Sequence, residues 1–547
     1  MSDFTNPVYT DDSVMHSQMA EQTDRLKAPR DMYDNKLNIL TQNHTGYQKE
    51  IIEKAFNYAK KKHEGQKRNS GEIYFSHPVA VALILNEMRA DFETICAALL
   101  HDVMEDCNVS KETMVEEFGQ TIADLVDGVT KVSNVNSHNR EEKDAMTIDK
   151  LFVALNDDIR VGFIKLADRI HNMRTIDGHN SYEKKARIAK QTLDIYAPLA
   201  ALFGLFQFKE ELEDRSFKIL KSDEYKQIDD LRKNFYSSNP ALNQALFSLQ
   251  YNNPKNQNSL FRLFQQYDEN TGEYIDLIPI MDIRRVYKSI YGIYKKLSLS
   301  NYSDISQIKD LLTYNIITKT EDASVLYGAM YLVNNKYKLI PVDPIIDYVT
   351  HPKNELYRCL VTSNLFQIVV NEETKETAET RIRVKYQTPS MYYKSTFGLA
   401  GFWNYDDMNG VKEMQEALKR LPIYNDMAAI IKEYESDPYA FSEFFNKLSH
   451  LISPNRIYVT LNDYDFVQTY EGVTLEEFIM AQNNGFIDLN KDYYVNGNLV
   501  SINADSKKVH KRKNQSFILQ NNDSIRTMQK GEVVERNIFG GIVRKRK

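Results

Sequence analysis

The chain has 547 residues, more than one hydrophobic core accommodates, so several domains are expected. A hydrophobic fraction of 42% beside 27% charged residues is an ordinary globular composition, and a net charge of −7 argues against wholesale coating of nucleic acid. The three cysteines, Cys96, Cys107 and Cys359, are too few and too scattered for a disulfide framework or a thiolate zinc site, which makes a reducing, cytoplasmic compartment the expectation.

Residues 1–45 are polar, mixed in charge and without an apolar signal core, and they read as a disordered or loosely helical tail. No apolar run approaches the ~18 residues of a membrane span. From 46 to 220 the pattern is helical, with apolar residues recurring at three and four: Ile51, Ile52, Ala55, Phe56 and Ala59, then Ile122, Leu125, Val126 and Val129. Pro78 fits a helix's first turn, which places His77 near a helix start. Residues 221–407 read as α+β, with strands at Tyr314–Thr318, Leu365–Val370 and Arg381–Gln387 among helical segments Asp282–Leu297 and Ala323–Asn334. A helical connector follows over 408–454, carried by Met408–Leu451. Residues 455–530 show short strands and turns, including a hairpin signal at Asn496-Gly497, and 531–547 form a basic tail.

The chemistry-bearing residues cluster in the helical part. Leu100-His101-Asp102-Val103-Met104-Glu105-Asp106 continues an apolar segment that contains Ile95, Ala97, Ala98 and Leu99. On a continuous α-helix His101, Asp102, Glu105 and Asp106 would occupy one arc of roughly 140°. Charges this costly to bury call for a cation or a substrate. His77 and Asp168 would complete a set of two histidines and two aspartates. Imidazole and carboxylate ligands together suit a harder divalent ion such as Mn²⁺, which lowers the pKa of bound water and polarises a phosphoryl oxygen. Glu105 and Asp106, one turn on, are placed to manage protons. Taken alone, His101-Asp102 could equally be a solvated pair, Glu105-Asp106 a charged helix end, and Asp168 a partner of Arg169 or Arg174.

The surrounding residues resemble the long Rel/Spo-type enzymes that make and destroy the alarmone (p)ppGpp. The resemblance covers Ala59 to Phe217 and rests on Gly65-Gln66-Lys67-Arg68-Asn69-Ser70-Gly71-Glu72, Ser76-His77-Pro78-Val79-Ala80, Ala98 to Asp106, Val129-Thr130-Lys131-Val132, Ile164 to Thr175 and Tyr196-Ala197-Pro198-Leu199-Ala200. It implies an all-α HD-type hydrolase domain in which His77, His101, Asp102 and Asp168 hold one Mn²⁺. Glu105 and Asp106 would serve the attacking water. Arg68 would pack on the guanine, as a planar guanidinium can, with Ser70 and Asn172 as further nucleotide contacts. The implied reaction is removal of pyrophosphate from the 3′ position of (p)ppGpp. Ala201-Leu202 and Asn69 depart from the family pattern, at positions that bear on nucleotide affinity.

Residues 280–404 resemble the family's nucleotidyltransferase-like synthetase domain more weakly. Lys288 to Lys296 matches its opening helix, Asp310 its first metal-binding carboxylate, and Tyr357 survives in a rewritten loop. An ungapped alignment through Met391 and Gly398 puts Arg383 where the second metal-binding glutamate belongs, which implies a synthetase no longer able to hold Mg²⁺ on ATP. A gapped alignment would promote Glu379 instead. Residues 456–527 resemble a small β-grasp TGS-type module, carried by Gly472 to Phe478 and Leu519 to Ile525. The family's terminal ligand-sensing domain does not follow, which argues against ribosome or tRNA docking and leaves a regulatory protein partner through the C-terminal half open. Lys507-Lys508 and Lys511-Arg512-Lys513 read as a solvated basic loop. The alternatives are a bifunctional synthetase/hydrolase and a non-catalytic alarmone-binding regulator.

Overall fold

The computed structural model describes residues 29–133, 140–179, 181–238, 240–252, 256, 258–299, 304–340, 345–352, 356–371, 373–403, 408–421 and 424; farther on it describes 456–461, 465–470, 473–482, 488, 491–495, 498–500, 519, 524–529, 532–536 and 542–546. Of the sequence expectations, residues 1–28, most of the connector after 421 and the basic cluster 507–513 lie outside these residues. The chain divides into two units, one of residues 1–297 and 302–445, the other of 298–301 and 446–547.

The first unit begins with helices α1 (Pro29–Thr41), α2 (Gly46–Lys62), α3 (Ser76–Glu87), α4 (Phe92–Leu100), α5 (Val103–Asp106), α6 (Lys111–Phe118), α7 (Gln120–Ser133), α8 (Arg140–Asp157) and α9 (Ile159–Arg174). It continues with α10 (Tyr182–Gln191), α11 (Ala197–Leu202) and α12 (Phe206–Leu220). Their starts are set by short polar side chains that satisfy otherwise orphaned backbone N–H groups. Asp91 accepts from Thr94 N at 3.0 Å to open α4, and Asp158 from Arg160 N at 2.9 Å to open α9. α4 is buried over Thr94–Leu100 and packs against α2 and α3, while α9 buries most of its first turns. These two core helices therefore present their ends as a fixed platform.

Two expectations change here. Residues 29–41 are a packed helix rather than a loose tail: Tyr33 and Leu40 are buried, and the Tyr33 ring meets Phe75 at 5.4 Å and Phe56 at 6.5 Å. The stripe Tyr33, Leu37, Leu40 has helical spacing that a polar average conceals. The helix carrying His101 is also not continuous, since α4 ends at Leu100, His101-Asp102 form a turn, and α5 is a single turn.

Beyond α12 the chain forms α13 (Ser222–Ser237), α14 (Pro240–Ser248), a hairpin of β1 (Gln265–Asp268) and β2 (Glu273–Asp276), and then a mixed sheet. Its strands are β3 (Ile280–Tyr287), β4 (Leu312–Thr318), β5 (Lys338–Leu339), β6 (Ile346–Asp347), β7 (Leu360–Asn371) and β8 (Glu376–Gln387), in the order β3-β4-β8-β7-β5 with β6 also on β7. Only β4 and β8 run parallel. Helices α14 and α15 (Ile290–Leu299) flank the strands in sequence, and α14 packs with α16 (Ser324–Lys336) on β7. Ile283, Val286, Ile290 and Ile293 recur at helical intervals, which is why Asp282–Leu297 reads as one helix. Pairing with β4 makes its first half a strand, a case of tertiary context overriding local pattern.

The unit closes with α17 (Pro389–Phe397) and α18 (Met408–Arg420), which bring the two halves together. Leu399 N donates to Phe203 O at 2.7 Å, and Gly204 and Gly398, both at positive φ, approach with no room for a Cβ on Gly398. Phe163 of α9 stacks on Phe203 at 4.5 Å and meets Trp403 at 4.6 Å. Gln415 of α18 accepts from Ile159 N at 2.9 Å and donates to Leu155 O at 2.8 Å, so it clasps the start of α9.

The second unit holds a five-stranded sheet, β10-β9-β13-β11-β12, made of β9 (Arg456–Leu461), β10 (Asp465–Tyr470), β11 (Lys491–Val495), β12 (Asn498–Val500) and β13 (Ser524–Gln529). Only β9 and β13 run parallel. Phe478 and Ile479 of α19 (Leu475–Gln482) share a core with Val459, Tyr493, Val495 and Ile525. Val495 pairs with Asn498, the register of a two-residue hairpin; Asn496 and Gly497 themselves lie outside the described residues.

Candidate metal centre and active site

Four elements converge where the end of α4 meets the latter half of α9. His77 is the second residue of α3, His101 follows the last residue of α4, Asp102 precedes α5, and Asp168 lies in the latter half of α9. One ligand-type atom from each of His77, His101 and Asp168 lies within 4.8 Å of the others. Asp102 closes the group, with Oδ1 at 3.1 Å from His101 Nε2 and Oδ2 at 3.6 Å from His77 Nε2. His77 Nε2 is 3.3 Å from Asp168 Oδ1.

The protonation of His101 follows from its backbone contact. Its Nδ1 lies 2.8 Å from the carbonyl of Ala98, which can only accept, so Nδ1 carries the hydrogen. In the neutral ring Nε2 is then a lone pair; it is buried, meets no hydrogen-bond donor among the described residues, and faces an aspartate oxygen at 3.1 Å. Two electron-rich atoms at that distance repel unless a cation lies between them. The donor set is nitrogen and carboxylate oxygen without sulfur, which fits a divalent ion of intermediate hardness. The residues present therefore fit a bound metal.

Around this group lie the proposed proton-handling and nucleotide-contacting residues. Glu105 and Asp106 stand at the exposed rim on α5. Partial burial, and next the charge of Asp102, hold the Glu105 carboxyl above the ordinary carboxylate range. Burial alone would raise Asp168, yet Lys165 and His77 beside it hold it well below the usual range. Arg68, on the loop between α2 and α3, reaches α9: its Nη2 donates to Asn172 Oδ1 at 3.0 Å, and Asn172 Nδ2 donates to Asp168 Oδ1 at 2.6 Å. Ser70 is exposed, bonds Glu72 at 3.4 Å and packs against Gly178. Of the two arginines that the sequence offered as partners for Asp168, Arg174 pairs with Glu211 at 2.8 Å and Arg169 bonds Gln191 at 2.8 Å over the Tyr196 ring.

Three neighbours had no role in the sequence reading. Tyr74 places its hydroxyl 2.8 Å from Asp102 Oδ2 and 2.7 Å from Asp106 Oδ2, linking the two carboxylates through one proton. Burial, followed by Asp102, raises the phenol far above its ordinary value, so it stays protonated. Lys165 is buried with its ammonium 3.5 Å from Asp168 Oδ2. His171 Nδ1 lies 2.7 Å from His77 Nδ1; burial, then the His77 and Arg68 charges, keep this imidazole neutral. Lys165 and His171 sit inside a motif quoted above and Tyr74 lies between two others, but nothing in residue type or spacing indicates which atoms they meet.

An all-helical domain with a histidine–aspartate cluster at the meeting of its helix ends, followed by a mixed α+β domain, defines the class. Residues 55–206 match the HD domain family and residues 284–410 the region found in RelA and SpoT proteins. The chain belongs to the long Rel/Spo family. It is 36% identical over 383 residues to a GTP pyrophosphokinase of Myxococcus xanthus, covering 68% of this chain and 45% of that protein. It is 32% identical over 451 residues to a guanosine-3′,5′-bis(diphosphate) 3′-pyrophosphohydrolase of Vibrio cholerae, covering 82% and 58%. To the bifunctional (p)ppGpp synthase/hydrolase SpoT of Escherichia coli it is 32% identical over 432 residues, covering 79% and 56%. The chain thus spans about half the length of the curated relatives it matches. Among the described residues no helix is long and apolar enough to cross a membrane.

Proposed function

We propose that this protein hydrolyses (p)ppGpp to GDP or GTP and pyrophosphate at a Mn²⁺ centre held by His77, His101, Asp102 and Asp168. The observation that carries the reading is the buried, donor-free His101 Nε2 facing Asp102 within the His77–His101–Asp168 cluster. When bound, the ion supplies Lewis acidity toward a phosphoryl oxygen and a more acidic water. The chain's own residues do the rest. Water adds to the phosphorus attached to the ribose 3′ oxygen, the phosphorus–oxygen bond to the ribose breaks, and pyrophosphate leaves. Glu105, whose carboxyl burial and Asp102 hold above the ordinary range, takes or returns a proton, and Asp106 acts beside it through the Tyr74 hydroxyl. Arg68, Ser70 and Asn172 contact the nucleotide. Mn²⁺-dependent release of pyrophosphate from ppGpp by purified protein tests the reading; its absence rejects it.

The synthetase-like domain, on this reading, no longer catalyses. Lys288 Nζ lies 2.8 Å and Arg383 Nη1 3.6 Å from Asp310 Oδ2, so two protein cations occupy the carboxylate an ATP-bound Mg²⁺ would need. Burial would raise Asp310, but Lys288 and Arg383 hold it well below the usual range. Glu379 is four residues earlier on β8, roughly 13 Å away at strand spacing, which favours Arg383 as the residue beside Asp310. The bifunctional alternative finds support in the names of two relatives. A TGS-like β-grasp identity for the second unit and regulation through a protein partner there are part of the same proposal.

A further inference from the structure

We propose that His171 is a positioning residue for this centre: it fixes which nitrogen of His77 faces the ligand cluster. The inference rests on the metal-site reading above. Arg68 is protonated at every physiological pH. The Arg68 guanidinium has only N–H donors, and its Nη1 lies 3.2 Å from His171 Nδ1. Nδ1 of His171 is therefore an acceptor. The same atom lies 2.7 Å from His77 Nδ1, and two acceptors do not meet at hydrogen-bond distance. His77 Nδ1 must donate, which leaves Nε2 of His77 as the nitrogen open to a cation; a bound metal ion takes the place of any proton shared there with Asp168. That Nε2 is the atom directed at Asp168 Oδ1, 3.3 Å away, and Asp102 Oδ2, 3.6 Å away.

The arrangement differs from that of His101, whose tautomer is set by its own helix through the Ala98 carbonyl. His77 has no such local acceptor, since its partner comes from α9, 94 residues away. The rings are tilted by 37° with centroids 4.9 Å apart, so the contact runs through the nitrogens rather than by stacking. Arg68 also reaches Asp168 through Asn172, at 3.0 and 2.6 Å. One guanidinium on the α2–α3 loop thus orients two members of the cluster, His77 through His171 and Asp168 through Asn172. Partners that orient a ligand in this way are typically worth about 10–100-fold in metal affinity.

The test uses the full chain stripped of metal, with Mn²⁺ added and the free ion read by electron paramagnetic resonance. His171→Leu removes the acceptor and should weaken Mn²⁺ binding about 10–100-fold. His171→Asn offers Oδ1 as a replacement acceptor and should recover most of that loss. Equal affinity of His171→Leu and the parent chain overturns the proposal, as does an asparagine variant no better than leucine. Independently of any variant, ¹H–¹⁵N correlation on the histidine-labelled, metal-free parent should show His77 as the Nδ1–H tautomer; the Nε2–H tautomer overturns it. If the parent chain takes up no Mn²⁺ at all, the metal-site reading falls and this inference with it. If the parent binds and His171→Leu binds equally, only the role of His171 falls.

Discussion

Arg383 places a guanidinium nitrogen 3.6 Å from Asp310, on a carboxylate that Lys288 already binds at 2.8 Å. On the proposed reading, two cations on one aspartate make the site repel rather than collect Mg²⁺. Purified protein given labelled ATP, GDP and Mg²⁺ should yield no labelled alarmone. Accumulation of product at rates comparable to its hydrolysis would restore the bifunctional reading.

His101→Ala removes a proposed ligand whose other nitrogen bonds the neighbouring Ala98 carbonyl. Pyrophosphate release should fall more than about 100-fold, beyond what an outer partner is worth. Far-ultraviolet circular dichroism should stay unchanged, because the core of α4 is carried by Ile95, Ala97, Leu99 and Leu100. Normal turnover in this variant would remove His101 from the centre.

Glu105→Gln keeps the shape of the rim but cannot exchange a proton. Turnover should drop about 10²–10⁴-fold, the usual worth of a positioned acid or base, with Mn²⁺ affinity within a few-fold of the parent. Loss of the metal together with the rate would make Glu105 a ligand instead.

Gly398 is at φ 54° with its Cα against the backbone of Gly204, and an added Cβ would collide with the Phe203 carbonyl. Gly398→Ala should lower the unfolding midpoint through a backbone cost of about 1–3 kcal/mol, plus displacement of the Phe203–Leu399 hydrogen bond. Gly401→Ala serves as the comparison, since its added Cβ meets Lys394 and Tyr393 at ordinary distances of 3.5–3.6 Å. Equal midpoints would show that the seam yields at no cost.

Asp214 on α12 accepts from the first backbone N–H groups of α15, Ile290 at 3.1 Å and Tyr291 at 2.7 Å, and burial pushes its carboxyl up to about 6. A raised folded-state value favours folding while the group is protonated. That contribution is complete below the unfolded value near 3.9 and is lost as pH climbs through 6, about 3 kcal/mol by pH 7.5. Asp214→Asn cannot ionise, so its advantage over the parent in thermal unfolding should grow from pH 5 to pH 7.5. A constant difference across that range would contradict the assignment.

Local pattern carried the helical first half, because burial of one helix face repeats every three or four residues and leaves its mark in sequence. It also carried the strands Tyr314–Thr318 and Arg381–Gln387, whose cores lie within β4 and β8. It failed at Asp282–Leu297, where residues 280–287 form β3, because a neighbouring strand supplies the deciding hydrogen bonds. It failed again at residues 29–41, where a short apolar stripe was outweighed by polar surroundings.

By itself the sequence determined which residues could serve a metal centre, since histidines and carboxylates beside an apolar run are too costly to keep there without use. It also supplied the motifs that name the family. Only the tertiary structure decided that His77, His101, Asp102 and Asp168 meet, that Tyr74, Lys165 and His171 join them, and that Arg383 rather than Glu379 stands beside Asp310. The reason is separation along the chain. His77 and His171 are 94 residues apart and 2.7 Å apart in space, and a period of three or four residues holds no record of a distance set by how whole helices pack.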